Sequence, residues 1–184
     1  MDNGAISYRR YLDGDENGLV EIVELYGASL MLFIHRYVHN LDIAEDLMED
    51  TFCELIFHKS RYQGKSSFKT YLFSIARNKA VDYIRKERRF KKVPMEQAEY
   101  KASDIAELEQ RVLKNEDKKQ LYDAMNQLND EYRMVLYLLY FEEMSYNEIS
   151  HVMKKNNRQI KNLAYRARQS LKSIMKEEGF SYEE

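Results

Sequence analysis

The sequence predicts an all-α protein: two small helical bundles joined by a linker, the C-terminal one carrying a helix-turn-helix. Three observations predict it. One proline and six glycines in 184 residues leave few helix breakers. Apolar residues recur at helical rather than alternating spacing, in a chain that is 44% hydrophobic. A weakly apolar stretch holding the only proline, Pro94, divides two such regions.

The first long segment, GLVEIVELYGASLMLFIHRYVHN, sets Leu19, Ile22, Val23, Tyr26, Leu30, Phe33, Ile34, Tyr37 and Val38 on one apolar stripe ending near Asn40. In DIAEDLMEDTFCELIFHKSRY, Asp42 and Glu45 have the spacing of a capping box, and Leu47, Phe52, Leu55 and Ile56 point inward. Glu45, Asp46, Glu49 and Asp50 fall on the outward side. After the polar loop RYQGKSS, a helix can start from a Ser66 or Ser67 cap and pack Phe68, Leu72, Ile75, Ala76 and Ile84. Residues 1–90 thus read as a bundle of three or four helices, 91–115 as a linker that is partly helical near its end, and 116–184 as a second bundle of four. Its segments are KKQLYDAMNQL, NDEYRMVLYLLYFEE, SYNEISHVMKK and NRQIKNLAYRARQSLKSIMKEE.

The last two segments have the layout of a helix-turn-helix. Ser145 with Glu148 makes a capping box, a tight turn follows near Lys155 to Asn157, and Ile160, Leu163, Ala164, Ala167, Leu171 and Ile174 form the buried stripe. Arg158, Gln159, Lys161, Asn162, Tyr165 and Arg166 remain on the exposed side near the helix start. That is where a recognition helix meets base edges and phosphates in a major groove.

The formal net charge of −2 conceals alternating blocks. Leu12 to His58 holds eleven acids against one base, Arg36. From Arg61 to Lys92, eleven bases meet only Asp82 and Glu87, and Ile149 to Met175 holds seven bases and no acid. Two basic blocks about sixty residues apart suit two contacts on one polyanion, with the acidic block serving a basic partner.

Several function classes are excluded or disfavoured. The longest apolar runs, ASLMLFI and MVLYLLYF, are shorter than the ~20 residues of a membrane span, and the opening MDNGAISYRRYLDG has no signal-peptide pattern. A cytoplasmic chain without membrane insertion is expected. Single Cys53 rules out an internal disulfide framework and an all-cysteine zinc site, and reads as a packed helix residue. His35 and His39, four apart with no third ligand nearby, read as ordinary helix residues. With no phosphate loop, nucleophile elbow or clustered metal ligands, neither an enzyme nor a bound cofactor or metal is expected.

AEDLMEDTF, SSFKTYLFSIARNKAVDYIRKERR and MSYNEISHV…IKNLAYRAR, in that order and split by a linker, resemble the extracytoplasmic-function (group IV) sigma factors of bacterial RNA polymerase. The resemblance covers most of the chain and implies that it binds core polymerase, directs promoter-specific initiation and admits an anti-sigma factor as a further partner. It sets Asp46, Glu49 and Asp50 against basic clamp helices of the polymerase's largest subunit, Glu49 standing where the family often has glutamine. It makes the loop from Tyr62 to Ser67 the element that captures an unstacked minus-ten base. Tyr62, Lys65, Lys69, Arg77, Asn78, Lys79 and Arg85 are then the minus-ten contacts, and stacking one base contributes ~1–3 kcal/mol. Tyr71 stands where tryptophan is common and reads equally as a core aromatic. Arg158, Lys161, Asn162 and Arg166 are the minus-thirty-five contacts, with Lys154 where many members carry glycine and Lys155 where they carry an apolar residue. A rival from another class is an autonomous helix-turn-helix regulator whose first domain senses a ligand or dimerises. The acidic helix followed by a basic, aromatic one argues against it, since a sensor has no need of that pair.

Overall fold

A computed structural model describes residues 3–90, 121 and 123–177, which form two compact all-helical units. The first contains α1 (Asn3–Leu12), α2 (Asn17–Val38), α3 (Leu41–Phe57), a 3-10 turn at Lys59–Arg61, and α4 (Phe68–Phe90). The second contains helical residues 123–126, then α5 (Asp130–Tyr140), α6 (Tyr146–Met153) and α7 (Asn157–Glu177). The expected linker, 91–115, lies outside the described residues.

In the first unit α2 is the central helix. Its 22 residues are long and apolar enough to cross a membrane by length and composition. Here Ile22, Leu30, Phe33 and Ile34 are fully buried, and α1, α3 and α4 all pack around the helix. Its stripe differs from expectation: Val23 is 42% exposed, whereas Leu32 is buried. α1, absent from the expected elements, covers the first half of α2, from Gly18 to Tyr26, a flank that the spacing alone does not mark. Gly18 permits that approach, because a Cβ there would fall on the Ser7 carbonyl oxygen. Ser7 Oγ donates to Glu21 at 2.7 Å, and Arg10 bridges Asp15 and Glu21, fastening the corner.

α3 is capped by Asn40, not by Asp42. Asn40 has extended backbone, and its side chain accepts from the Ile43 N–H at 2.9 Å. The helix begins at Leu41, whose side chain is buried; Asp42 then lies in the first turn, favourably placed for the helix dipole. Two further expectations fail on α3. Ile56 is 36% exposed rather than inward, and Cys53 is exposed rather than packed. α4 fills the groove between α2 and α3 with Phe68, Leu72, Phe73, Ala76 and Ala80, starting from Ser67, whose Oγ accepts from the Thr70 N–H. Ile75 and Ile84 are only half-buried.

In the second unit α5, α6 and α7 share a core that includes Val135, Leu136, Leu138, Ile149, Val152, Ile160, Ala164 and Ala167. Arg133 donates to the carbonyls of Asn126 and Leu128, both at 2.8 Å, closing the turn before α5. α6 carries the expected Ser145–Glu148 capping box. It ends at Lys154, in the left-handed conformation at φ 53°, and the Lys155 N–H reaches back to the Ser150 carbonyl at 3.1 Å. This is the close a glycine normally makes; here a lysine makes it.

Candidate nucleic-acid faces and an acidic docking face

α7 starts from a reciprocal cap. The Asn156 side chain accepts from the Gln159 N–H and the Gln159 side chain from the Asn156 N–H, both at 2.8 Å. The cap fixes where the exposed face begins. Arg158, Lys161, Asn162 and Arg166 are all exposed on it, with Tyr165 at 63% exposure between them. None of these five has an internal hydrogen bond or ion pair among the described residues. Two bases of the same block are used inside the unit. Lys155 pairs with Glu131 at 2.8 Å. Arg168 donates to the Tyr146 and Tyr140 hydroxyls at 2.5 and 3.0 Å, and these bonds, Tyr146's foremost, raise its pKa further. Arg168 therefore braces α7 against α5 and α6, while its neighbours face solvent.

On α3, Asp46, Glu49 and Asp50 are all exposed. Asp50 approaches Lys79 of α4 at 3.9 Å, a solvent-screened pair worth little by itself.

The loop before α4 is built on aromatic rings. Tyr62 is half-buried, with its hydroxyl donating to the Ser66 carbonyl at 3.0 Å. Its ring lies 5.3 Å from Phe68, 5.1 Å from Tyr71 and 6.0 Å from Tyr8. Tyr8 of α1, which sequence reasoning missed, joins the cluster through Phe68 at 5.1 Å. It is 1% exposed, and its hydroxyl lies 3.2 Å from both the Leu55 and Lys59 carbonyls. Burial pushes its pKa up to about 12. Lys65 projects at the loop tip beside Gly64, which takes a left-handed φ of 70°.

The seven expected minus-ten residues do not form one line. Arg77 and Lys79 are about 200° apart around α4 at 100° per residue, on opposite flanks. Lys79 is turned to Asp50, and Lys69 is half-buried in the first turn. Asn78 and Arg85 lie seven residues apart on one side of α4, Asn78 half-buried and Arg85 exposed, with Arg85 near Asp82 at 3.4 Å. Among the described residues the Asn78 Oδ1 and the Tyr71 hydroxyl are buried without a hydrogen-bond partner, and burial raises the Tyr71 pKa. Among the described residues no three His, Cys, Asp or Glu side chains converge to hold a metal. His35 and His39 meet edge to face at 6.3 Å, and burial pushes His35 down to about 4.

Residues 22–90 match the Sigma-70 region 2 family and residues 118–171 the Sigma-70 region 4 family. The chain is 33% identical over 161 residues to the ECF RNA polymerase sigma factor SigM of Bacillus subtilis, covering 84% of this chain and 93% of SigM. This chain belongs to the ECF sigma factors. It binds core RNA polymerase and promoter DNA and directs promoter-specific transcription initiation, which decides against the autonomous regulator. The RNA polymerase sigma-H factor of Pseudomonas aeruginosa is 27% identical, with 86% of each chain covered. The fold is shared with the solved sigma factor RpoE of Bartonella quintana, in complex with the anti-sigma factor NepR (TM-score 0.59, 24% identity, 85% of this chain and 95% of that one). It is shared also with CnrH in complex with the cytosolic domain of CnrY (TM-score 0.64, 19% identity, 95% and 98%).

Proposed function

We propose that this sigma factor divides its work between the two units. Residues 1–90 dock on core polymerase through Asp46, Glu49 and Asp50 and hold the opened minus-ten element with Tyr62, Lys65, Lys69, Arg77, Asn78, Lys79 and Arg85. Residues 116–184 read the minus-thirty-five element with Arg158, Lys161, Asn162 and Arg166, and 91–115 join the two. The observation that carries this reading is the α7 face, where three bases, an amide and a tyrosine lie exposed beside a braced Arg168. Exposed bases next to an inward-turned one of the same block support a binding face over a merely solvated helix.

The loop works through its ring cluster. A base unstacked from the duplex can lie against the half-buried Tyr62 edge, and Lys65 at the tip meets its phosphate. The site of action is the cytoplasm, with polymerase and promoter. An anti-sigma factor is a further proposed partner, as NepR is for RpoE.

The test is transcription by core polymerase supplied with the purified chain, on templates altered in one element at a time. Arg158→Ala and Arg166→Ala should lower promoter binding, and a residue that reads a base should relax preference at one upstream position, at ~1–3 kcal/mol. Initiation indifferent to the upstream element would overturn the assignment of α7.

A further inference from the structure

The outward face of α3 changes character along its axis. At 100° per residue, Asp46, Asp50, Cys53 and Phe57 fall within about 60° of one another, on one row. The first half of that row is carboxylate. The second half is apolar and open: Cys53 is exposed and Phe57 is 79% exposed, while Ile56, about 100° round the helix from Phe57 and off the row, is 36% exposed. Glu54, the acid nearest this end, is turned aside to Arg61 and His58. A single exposed apolar side chain is ordinary on a protein surface. A phenylalanine this open, continuing a row of exposed carboxylates and flanked by a partly exposed isoleucine, is a different arrangement.

We propose that α3 docks in two parts, with Phe57 as an apolar anchor, supported by Ile56, that enters a cleft on core polymerase beside the basic residues facing Asp46 and Asp50. The proposal rests on α3 being the polymerase-docking helix. From Asp46 to Phe57 the row runs about 16 Å along the axis, three turns of a partner helix. The partner it fits presents bases over its first two turns and an apolar recess at the third. Charge then sets encounter and orientation, while a desolvated aromatic ring holds the complex, the usual division between a polar rim and an anchor.

The two parts separate by salt. Affinity for core polymerase is measured at low and high ionic strength for the parent, Asp46→Lys/Asp50→Lys, Phe57→Ala and Phe57→Leu. The charge-reversed variant should lose affinity mainly at low salt, where the pairs are unscreened. Phe57→Ala should lose about 30-fold at both, as an anchor residue does, and Phe57→Leu should recover most of it. Being exposed, Phe57 can change without altering the circular dichroism. Cys53, the single cysteine of the chain, lies between the two parts and reports independently. Saturating core polymerase should protect it from maleimide.

If Phe57→Ala binds within twofold of the parent while the charge reversal still weakens binding, the anchor is refuted and the docking reading stands. If neither variant loses affinity, the docking reading itself fails, and the anchor with it. Unprotected Cys53 refutes the continuous face. A parent chain that is a dimer in solution, made monomeric by Phe57→Ala, would assign the ring to a second copy and overturn the proposal.

Discussion

Lys154 occupies a left-handed backbone position at φ 53° in the turn between α6 and α7. A side chain with a Cβ is strained there by ~1–2 kcal/mol, although glycine would lose more freedom on folding. Lys154→Gly should therefore stabilise the second unit by up to ~1 kcal/mol, seen as a rise in Tm, with promoter choice unchanged. Arg166 and Arg168 make a sharper contrast, two residues apart on one helix. Arg168→Ala removes two bonds to tyrosine hydroxyls and should destabilise by ~1–3 kcal/mol. Arg166→Ala should leave Tm alone and make promoter binding less salt-dependent, by a slope of roughly 0.9 in log K against log salt. Equal effects of the two variants on Tm and on binding would erase the distinction between brace and contact. His35 adds a pH dependence. Burial, then the neighbouring His39 and Arg36, lowers its folded pKa to about 4 from 6.5. The unfolded chain then binds the proton more tightly between those values, so the contribution of His35 is present above about 6.5 and lost as pH falls toward 4. Melting at pH 7.5 and pH 5 should differ less for His35→Gln than for the parent.

At the scale of elements, α1 is the piece that connects the fold to the loop before α4, the proposed minus-ten element. Tyr8 ties α1 to the end of α3 and to the 3-10 turn through the Leu55 and Lys59 carbonyls, while its ring packs 5.1 Å from Phe68. Tyr8→Phe keeps the ring and deletes the hydroxyl. It should cost about 1 kcal/mol of stability and lower affinity for single-stranded minus-ten DNA more than for duplex minus-thirty-five DNA, since the turn it anchors leads into Tyr62. Equal loss on both ligands would make Tyr8 a general core residue. α1 was illegible in the sequence for a physical reason: ISYRRYLDG buries Ser7, Tyr8 and Tyr11 but leaves its aliphatic residues, Ile6 and Leu12, exposed, so no single apolar stripe marks its inner face. α2 to α7 were legible because their stripes are mainly Leu, Ile, Val, Phe, Met and Ala. The same stripes could not say which flank a neighbour covers, so Val23, Ile56 and Cys53 were misplaced. The α7 face was legible because one helix suffices to align its residues. The α4 residues were not, because the side of that helix left open depends on where α2 and α3 lie.

The molecule as a whole carries a net charge of −2, yet it has to bind a polyanion. The block structure reconciles the two if the acids of the first unit are covered by polymerase when DNA arrives. Before that, they oppose DNA. Asp50 lies 3.9 Å from Lys79, so an acid of α3 faces a base of α4, within the ~10 Å over which charges act at 0.1 M salt. Replacing Asp46 and Asp50 by lysine takes the formal charge from −2 to +2, since each reversal adds two. Two affinities should then move in opposite directions. Binding of the free variant to random-sequence duplex should strengthen at low salt and converge on the parent as salt is raised, because phosphate contacts are the salt-sensitive part. Binding of the same variant to core polymerase should weaken. Both changes should come without loss of helix content, as exposed substitutions usually shift stability by less than about 0.5 kcal/mol. Fluorescence anisotropy with labelled duplex, and separately with core polymerase, measures both. Unchanged DNA binding by the free variant would mean that the acidic face does not restrain the basic one, and the alternation of charge along the chain would then serve the polymerase contact alone.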